Sequence, residues 1–381
     1  MTVATLQTRL FEDIYPDAPT TEGIKYAGSK LKLLPQILWL AEKTKPKTVF
    51  DGFSGSTRVS QALARVGYCV TSSDQAVWSE IFARCYLQGG ERAKYSSLIK
   101  HLNMCKPVDG WFTEHYGGDP SGDVNDDGSD AKKRPWQKQN TRKLDAIREE
   151  IDRLRLDPIA EAVALTSLIL AMDKVDSTLG HFSSYLRKWS PRSYKTMQLE
   201  LPLIVDTAMN HTVTRGDIFD VAPNVDADLA YLDPPYGSNN EKMPPSRVRY
   251  LAYYHVWTTI CLNDKPQLFG KVNRRVDTRD DVAASVFEEF RRAPSGKFLA
   301  VDAIRRLLKA TAAKHIILSY SSGGRATAVE LNEALRDVGK IIEVIELDYR
   351  RNVMAAMTWT NEWLRDAQEP NREFLFLIKR S

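Results

Sequence analysis

The sharpest chemical signal in the chain is Asp233-Pro234-Pro235-Tyr236, set directly behind the apolar run LAYL. Two successive prolines fix the backbone and remove two N–H donors, so the neighbouring carbonyls are free to point outward as acceptors. With a carboxylate on one side and an aromatic face on the other, these residues form a cup for an aromatic ring bearing an amino group. The carboxylate and a proline carbonyl accept the two amine protons, and the tyrosine stacks on the ring. Taken alone, the four residues also read as a rigid turn after a strand.

Three other strand ends point to the same place. Asp51-Gly52-Phe53-Ser54-Gly55-Ser56 follows a short apolar run and opens a helical stretch, and its glycines let the backbone approach a ligand closely. It lacks the G-x-G-x-x-G spacing of a dinucleotide turn. Asp74 closes the next strand-like run, where an acid can take both hydroxyls of a ribose. Gly216-Asp217-Ile218-Phe219 closes a third; Asp217 is suited to an adenine amino group, with Ile218 and Phe219 walling the ring. Each acid alone reads as a helix cap. Together, in one consistent order, they read as a nucleoside site beside an amine cup.

These blocks resemble the DNA adenine methyltransferase (Dam-like) family, the D-P-P-Y amino-methyltransferases. Lys25-Tyr26-Ala27-Gly28-Ser29-Lys30 is similar to the first cofactor motif of that family, an aromatic followed by A-G-x-K. Asp51 to Ser56 resembles its glycine-containing cofactor turn, and Asp233 to Tyr236 its catalytic motif. The turn departs from the family in carrying Gly52 where proline is more frequent. The resemblance implies S-adenosyl-L-methionine as cofactor, held by Tyr26, Gly28, Lys30, Asp51, Phe53, Ser54, Gly55, Asp74, Asp217 and Ile218. It also implies catalysis by Asp233, Pro234, Pro235 and Tyr236 on the exocyclic amine of a flipped adenine in double-stranded DNA. Tyr250, Tyr253, Tyr254 and His255 are candidates for a second aromatic face, with a core role expected for at least two. Placement in a restriction-modification system, with a cognate restriction endonuclease as partner, is a further implication. A cytosine N4-methyltransferase uses the same cup, and a non-catalytic DNA-binding protein of the same fold is the rival from another class.

The elements that must position these residues are legible as well. Strand, glycine turn, helix and strand over Thr48–Asp74 make a βαβ unit and hence a parallel sheet. Further strand-like runs are His211–Asp217, Asp228–Asp233, His315–Ser322, Ile341–Arg350 and Phe374–Arg380, seven in all with the first two. The expected fold is α/β: a Rossmann-like, seven-stranded, mostly parallel sheet with an inserted, largely helical target-recognition region. Residues 20–90 and 210–381 are assigned to the catalytic domain and 91–209 to the insertion. Leu31, Leu34, Ile37, Leu38 and Ala41 fall at helical spacing, with Pro35 expected in the first turn. Gly117–Asn140 reads as an exposed loop rich in turn formers.

Composition bounds the remaining choices. The 381 residues carry 53 Lys+Arg against 49 Asp+Glu, a net charge of +4 that neither requires nor excludes nucleic acid. Two basic, aromatic-bearing clusters suit phosphate contacts: Lys132, Lys133 and Arg134 with Trp136, and Arg187, Lys188, Arg192 and Lys195 with Trp189. Tyr349-Arg350-Arg351-Asn352 is a third basic spot. Asp123 to Gly128 resembles the opening of a calcium loop, but its twelfth position is Arg134 where glutamate is required, so no metal is expected. The four cysteines are scattered without a C-x-x-C pair, which suits a reducing cytoplasm. No apolar run is long enough to span a bilayer, and none resembles a secretory leader.

Overall fold

The computed structural model describes residues 15–120, 134–186, 188–237, 250–279, 285–289, 291–294, 296–348 and 372–381. Lys132, Lys133, Arg187, the calcium-like segment 123–128 and the basic spot 349–352 lie outside them.

Seven strands form one sheet: β1 (Thr48–Asp51), β2 (Cys69–Asp74), β3 (Thr212–Arg215), β4 (Leu229–Leu232), β5 (His315–Ser321), β6 (Gly339–Asp348) and β7 (Arg372–Arg380). Their spatial order is β6-β7-β5-β4-β1-β2-β3. The pairs β1–β2, β1–β4, β2–β3 and β4–β5 are parallel, whereas β7 is antiparallel to both β5 and β6. This is the mostly parallel α/β sheet expected from the sequence.

Residues alternate between the two sheet faces, as a strand repeat of two requires. Phe50, Ala230, Leu232, Ile316, Leu318 and Phe376 enter one core with α9 (Leu299–Ala310) and α10 (Ala328–Arg336). Val49, Val70, Leu229, Tyr231, Ile317 and Leu375 enter the other with α1 (Leu34–Thr44) and α2 (Arg58–Arg65). Both faces are covered at the centre of the sheet, so β4 (LAYL) is buried at every residue, whereas the edge strand β3 (TVTR) is not. Pro35 sits in the first turn of α1, where no backbone N–H is missed.

The helices between β2 and β3 build a third core. α3 (Val77–Gln88) contributes Trp78, Phe82 and Tyr86. α4 (Ser96–Met104), α5 (Trp111–Tyr116), α6 (Lys138–Leu154) and α7 (Pro158–Lys174) pack against it, together with α8 (His255–Leu262), which follows β4. α7 is buried on nearly every side, as a helix apolar all round must be, and Asp157 caps its first turn. Trp136 differs from its sequence reading as part of a basic surface. It is fully buried and donates Nε1–H to the Met172 carbonyl, because the segment around it pairs with Gly117–Gly118 instead of looping out.

The chain runs outward from β1 through β2 to β3, then crosses back to place β4 on the other side of β1. The crevice outside the carboxyl ends of β1 and β4 is therefore a topological switch point, where open α/β sheets bind their ligands. Because β7 runs the opposite way, its first residues arrive at this same edge.

Candidate active site

A cavity of about 670 Å³ opens at that crevice. Its walls include Tyr26, Gly28, Lys30, Phe53, Ser54, Gly55, Asp74, Asp217, Ile218, Asp233, Pro234, Pro235 and Tyr236, so three separated sequence blocks and two further strand ends meet in one place. Asp51 is the exception. It lies beneath the floor, fully buried, accepting from the Ser60 hydroxyl through Oδ2, while Oδ1 has no partner among the described residues. Burial, with smaller pushes from Asp233 and Asp74, raises its carboxyl to a pKa of about 7, against the partial relief of the Ser60 bond.

The glycine turn is tied to β2 by backbone capture. Asp74 Oδ2 accepts from Gly55 N–H at 2.8 Å, and Oδ1 accepts from Ala76 N–H at 2.9 Å. Gly55 has φ +46°, and a Cβ there would stand 3.1 Å from the Tyr26 hydroxyl, so glycine is favoured on both counts. Tyr26 stacks on the buried Tyr254 at 4.8 Å, and Tyr254 Oη accepts from Ala27 N–H at 2.7 Å. Of the four aromatic candidates after β4, Tyr253, Tyr254 and His255 belong to the core, and only Tyr250 reaches the cavity wall.

At the β3 end, Asp217 caps the short helix Ile218–Val221, accepting from Phe219 N–H at 2.8 Å. The wall above it holds residues that the sequence reading did not single out. Phe287 lies parallel to Phe219, ring centres 5.6 Å apart, and meets Phe53 edge-on at 5.5 Å. The Arg306 guanidinium covers the Phe219 ring at 4.5 Å.

The D-P-P-Y turn ends in a compact polar cluster. Lys30, only 6% exposed, directs its ammonium to Asp233 Oδ1 at 3.1 Å, to Glu373 Oε1 at 2.7 Å and to the Tyr236 hydroxyl. The Tyr236 hydroxyl donates to Asp233 Oδ1 and also lies 3.0 Å from Glu373 Oε1 and 3.1 Å from Ser319 Oγ. Asp233 Oδ2 makes no hydrogen bond among the described residues, and Asp233 lines the cavity. Burial pushes the Asp233 carboxyl up and Glu373 adds to the push, while Lys30 and the Tyr236 bond oppose it. For Lys30, burial works against the charge, but Asp233 and Glu373 overrule it and hold the ammonium above its ordinary pKa. Tyr236 stays well above its usual range through burial and both carboxylates, so it remains a phenol and a donor. Glu373 is the second residue of β7, and no local sequence signal marks it, because its place at the site depends on the antiparallel direction of that strand.

The basic residues assigned to DNA divide. Lys188 and Lys195 are exposed. Arg192 is partly exposed and also engaged within the protein: Nε donates to Asp176 Oδ1 and Nη2 to the Thr178 carbonyl, at 2.8 and 2.7 Å. Asp176 is 1% exposed and also pairs with Lys25, the residue that opens the first cofactor-like block. Arg134 is half-buried, donates to the His115 carbonyl and packs with Trp189 against Gly118.

Comparison with known proteins agrees with this geometry. Residues 26–307 match the family described as D12 class N6 adenine-specific DNA methyltransferases. The modification methylase StsI of Streptococcus sanguinis is 25% identical over 350 residues, covering 86% of this chain and 48% of that protein. The LlaI modification methylase of Lactococcus lactis subsp. lactis is 26% identical over 348 residues, covering 86% and 51%. The type II methyltransferase M.NlaIII of Neisseria lactamica is 25% identical over 338 residues, covering 86% and 92%. The chain thus spans about half the length of the first two relatives and nearly all of the third.

Proposed function

The chain belongs to the D12 class of N6 adenine-specific DNA methyltransferases, and we propose that it methylates the exocyclic amine of adenine in double-stranded DNA with S-adenosyl-L-methionine as donor. The observation that carries this reading is the division of labour within Asp233: one oxygen held by Lys30 and Tyr236, the other without a hydrogen bond among the described residues, in a side chain that lines the cavity.

The cavity suits that donor in charge and shape. Asp74 and Asp233 line the wall, and acids there favour a cationic ligand. Asp74 would take the ribose hydroxyls. Asp217 Oδ2, which has no hydrogen bond among the described residues, would take the adenine amino group, between Ile218, Phe219 and Phe53. Gly55, Ser54, Tyr26 and Gly28 would bound the rest of the ligand. When bound, the donor supplies an electrophilic methyl group on a sulfonium sulfur.

The amine of adenine is a weak nucleophile because its lone pair is delocalised into the ring. Asp233 Oδ2 and the Pro234 carbonyl would accept its two protons and hold the nitrogen pyramidal, with its lone pair aimed at the methyl group. Orientation and a fixed electrostatic environment do most of the work. A base inside a duplex cannot reach a recessed cup, so the adenine must be flipped out. It would lie against the Tyr236 ring, with Tyr250 across the cavity. Exposed Lys188 and Lys195 are proposed to meet phosphates. The names of the relatives, modification methylases and type II methyltransferases, support a place in a restriction-modification system beside a cognate endonuclease.

Transfer of radiolabelled methyl from S-adenosylmethionine to duplex DNA, followed by nucleoside analysis, tests the reading. N6-methyladenine is expected. N4-methylcytosine, or no incorporation, overturns it.

A further inference from the structure

Resting on that reading, we infer that Glu373 is a positioning residue of the methyl-transfer site: it fixes the Lys30 ammonium and the Tyr236 hydroxyl on Asp233 Oδ1, so that Oδ2 alone faces the target amine.

The geometry is specific. Glu373 is 8% exposed and reaches the site only because β7 is antiparallel, which delivers the start of that strand to the edge where β1 and β4 end. Its Oε1 receives the Lys30 ammonium at 2.7 Å, nearer than the 3.1 Å from that ammonium to Asp233, and stands 3.0 Å from the Tyr236 hydroxyl. Two carboxylates therefore share one ammonium in a buried setting. A lysine side chain has four rotatable bonds and no intrinsic aim. Here the second carboxylate supplies the aim, and the phenol, with a single proton to give, is confined between the two acids. Deleting Glu373 frees Lys30 and Tyr236 to turn, and Asp233 loses its fixed orientation.

The electrostatic consequence is separate from the geometric one. Asp233 is faced by Lys30 from the turn before α1, by Tyr236 of its own turn and by Glu373 of β7. Asp51, Tyr26, Tyr231 and Tyr250 act from further away. Glu373 is a like charge that makes Asp233 harder to ionise. Neutralising it should let Asp233 ionise at lower pH even as turnover falls.

The test uses Glu373→Gln, which keeps the size and hydrogen-bonding reach of the side chain, and Glu373→Asp. For Glu373→Gln, kcat is expected to fall by about 10- to 100-fold, the scale of an ångström-level misplacement. Affinity for S-adenosylhomocysteine should stay within about twofold, as expected when only the transition state loses an interaction. The acidic limb of log kcat should move to lower pH, and Glu373→Asp should return both properties towards wild type. The Asp233 carboxyl titration, followed by 13C NMR and assigned with Asp233→Asn, should move the same way in the absence of DNA. Unchanged kcat and an unmoved Asp233 titration in Glu373→Gln overturn the inference. So does a loss of kcat matched by lost cofactor affinity and a lowered Tm, which marks a merely structural residue. Absence of DNA methylation by the wild-type protein defeats the parent reading, while the NMR titration still decides whether Glu373 governs Asp233.

Discussion

Asp74 Oδ2 accepts the Gly55 N–H at 2.8 Å, so the end of β2 holds the turn that follows β1. One carboxylate thus shapes the floor of the cavity before any ligand arrives. Asp74→Ala should remove this tie together with the proposed ribose acceptor. S-adenosylhomocysteine affinity is expected to drop by about 1–3 kcal/mol, the usual cost of leaving buried donors unpaired. Gly55→Ala, forced into positive φ against the Tyr26 hydroxyl, should weaken binding by a similar route. Calorimetric titration reads both, and wild-type affinity in Asp74→Ala would return that residue to a purely structural cap.

Asp233→Ala should abolish methyl transfer while cofactor binding largely survives. The expected loss in kcat is at least about 100-fold, the range for removing one preorganised transition-state group. Lys30 would then retain Glu373 as partner, so the cluster keeps a counter-ion and the fold should hold. Single-turnover assays with labelled donor, alongside thermal melts, separate lost chemistry from lost structure. Wild-type turnover would remove Asp233 from the mechanism.

The parts of the site that depend on local chain chemistry were readable in the sequence. Asp233 to Tyr236, the glycine turn and Asp74 each sit at the end of a short apolar run, and a parallel sheet brings such ends to one edge. Glu373 was not readable, because its role depends on the direction of β7, which is set by long-range pairing. Phe287 was equally hidden: it reaches the cavity from the helical turn Val286–Glu288, which at three residues is too short to leave a periodic pattern. Arg192 and Trp136 looked like surface residues because each stands in a basic run. Arg192 keeps part of its side chain in solvent but is engaged by Asp176, while Trp136 is buried on the Met172 carbonyl, and local sequence reveals neither partner.

The internal ion pair of Arg192 and the exposed ammoniums of Lys188 and Lys195 call for two experiments. Arg192→Ala should lower Tm by several degrees, since it removes one of the two cations paired with the buried Asp176. Lys188→Ala with Lys195→Ala should leave Tm unchanged and weaken DNA binding across sequences. The slope of log affinity against log salt should become shallower by up to about 0.9 per lost phosphate contact. Fluorescence anisotropy over a salt series distinguishes these, and an unaltered slope in the double variant would place both lysines on a solvated face.

Asp51 makes stability depend on pH in a defined direction. Its carboxyl has a pKa of about 7 in the folded chain, against roughly 3.9 for an unperturbed aspartate. Between those values the folded state keeps a proton that the unfolded state has released. Linkage then requires this contribution to be fully present below about pH 4 and to be lost as pH rises through 7. The structural cause is the buried Oδ1, which has no partner among the described residues, so ionisation leaves a charge answered mainly by the Ser60 hydroxyl. Asp51→Asn removes the titration while keeping an acceptor for Ser60. Compared with wild type, it should be more stable at pH 8 by about 1–3 kcal/mol, the order of an unsatisfied buried group. The advantage should shrink towards pH 5, where the wild-type carboxyl is already neutral. Urea unfolding at pH 5, 6.5 and 8 gives the comparison, and equal differences at all three would show that Asp51 does not titrate in this range.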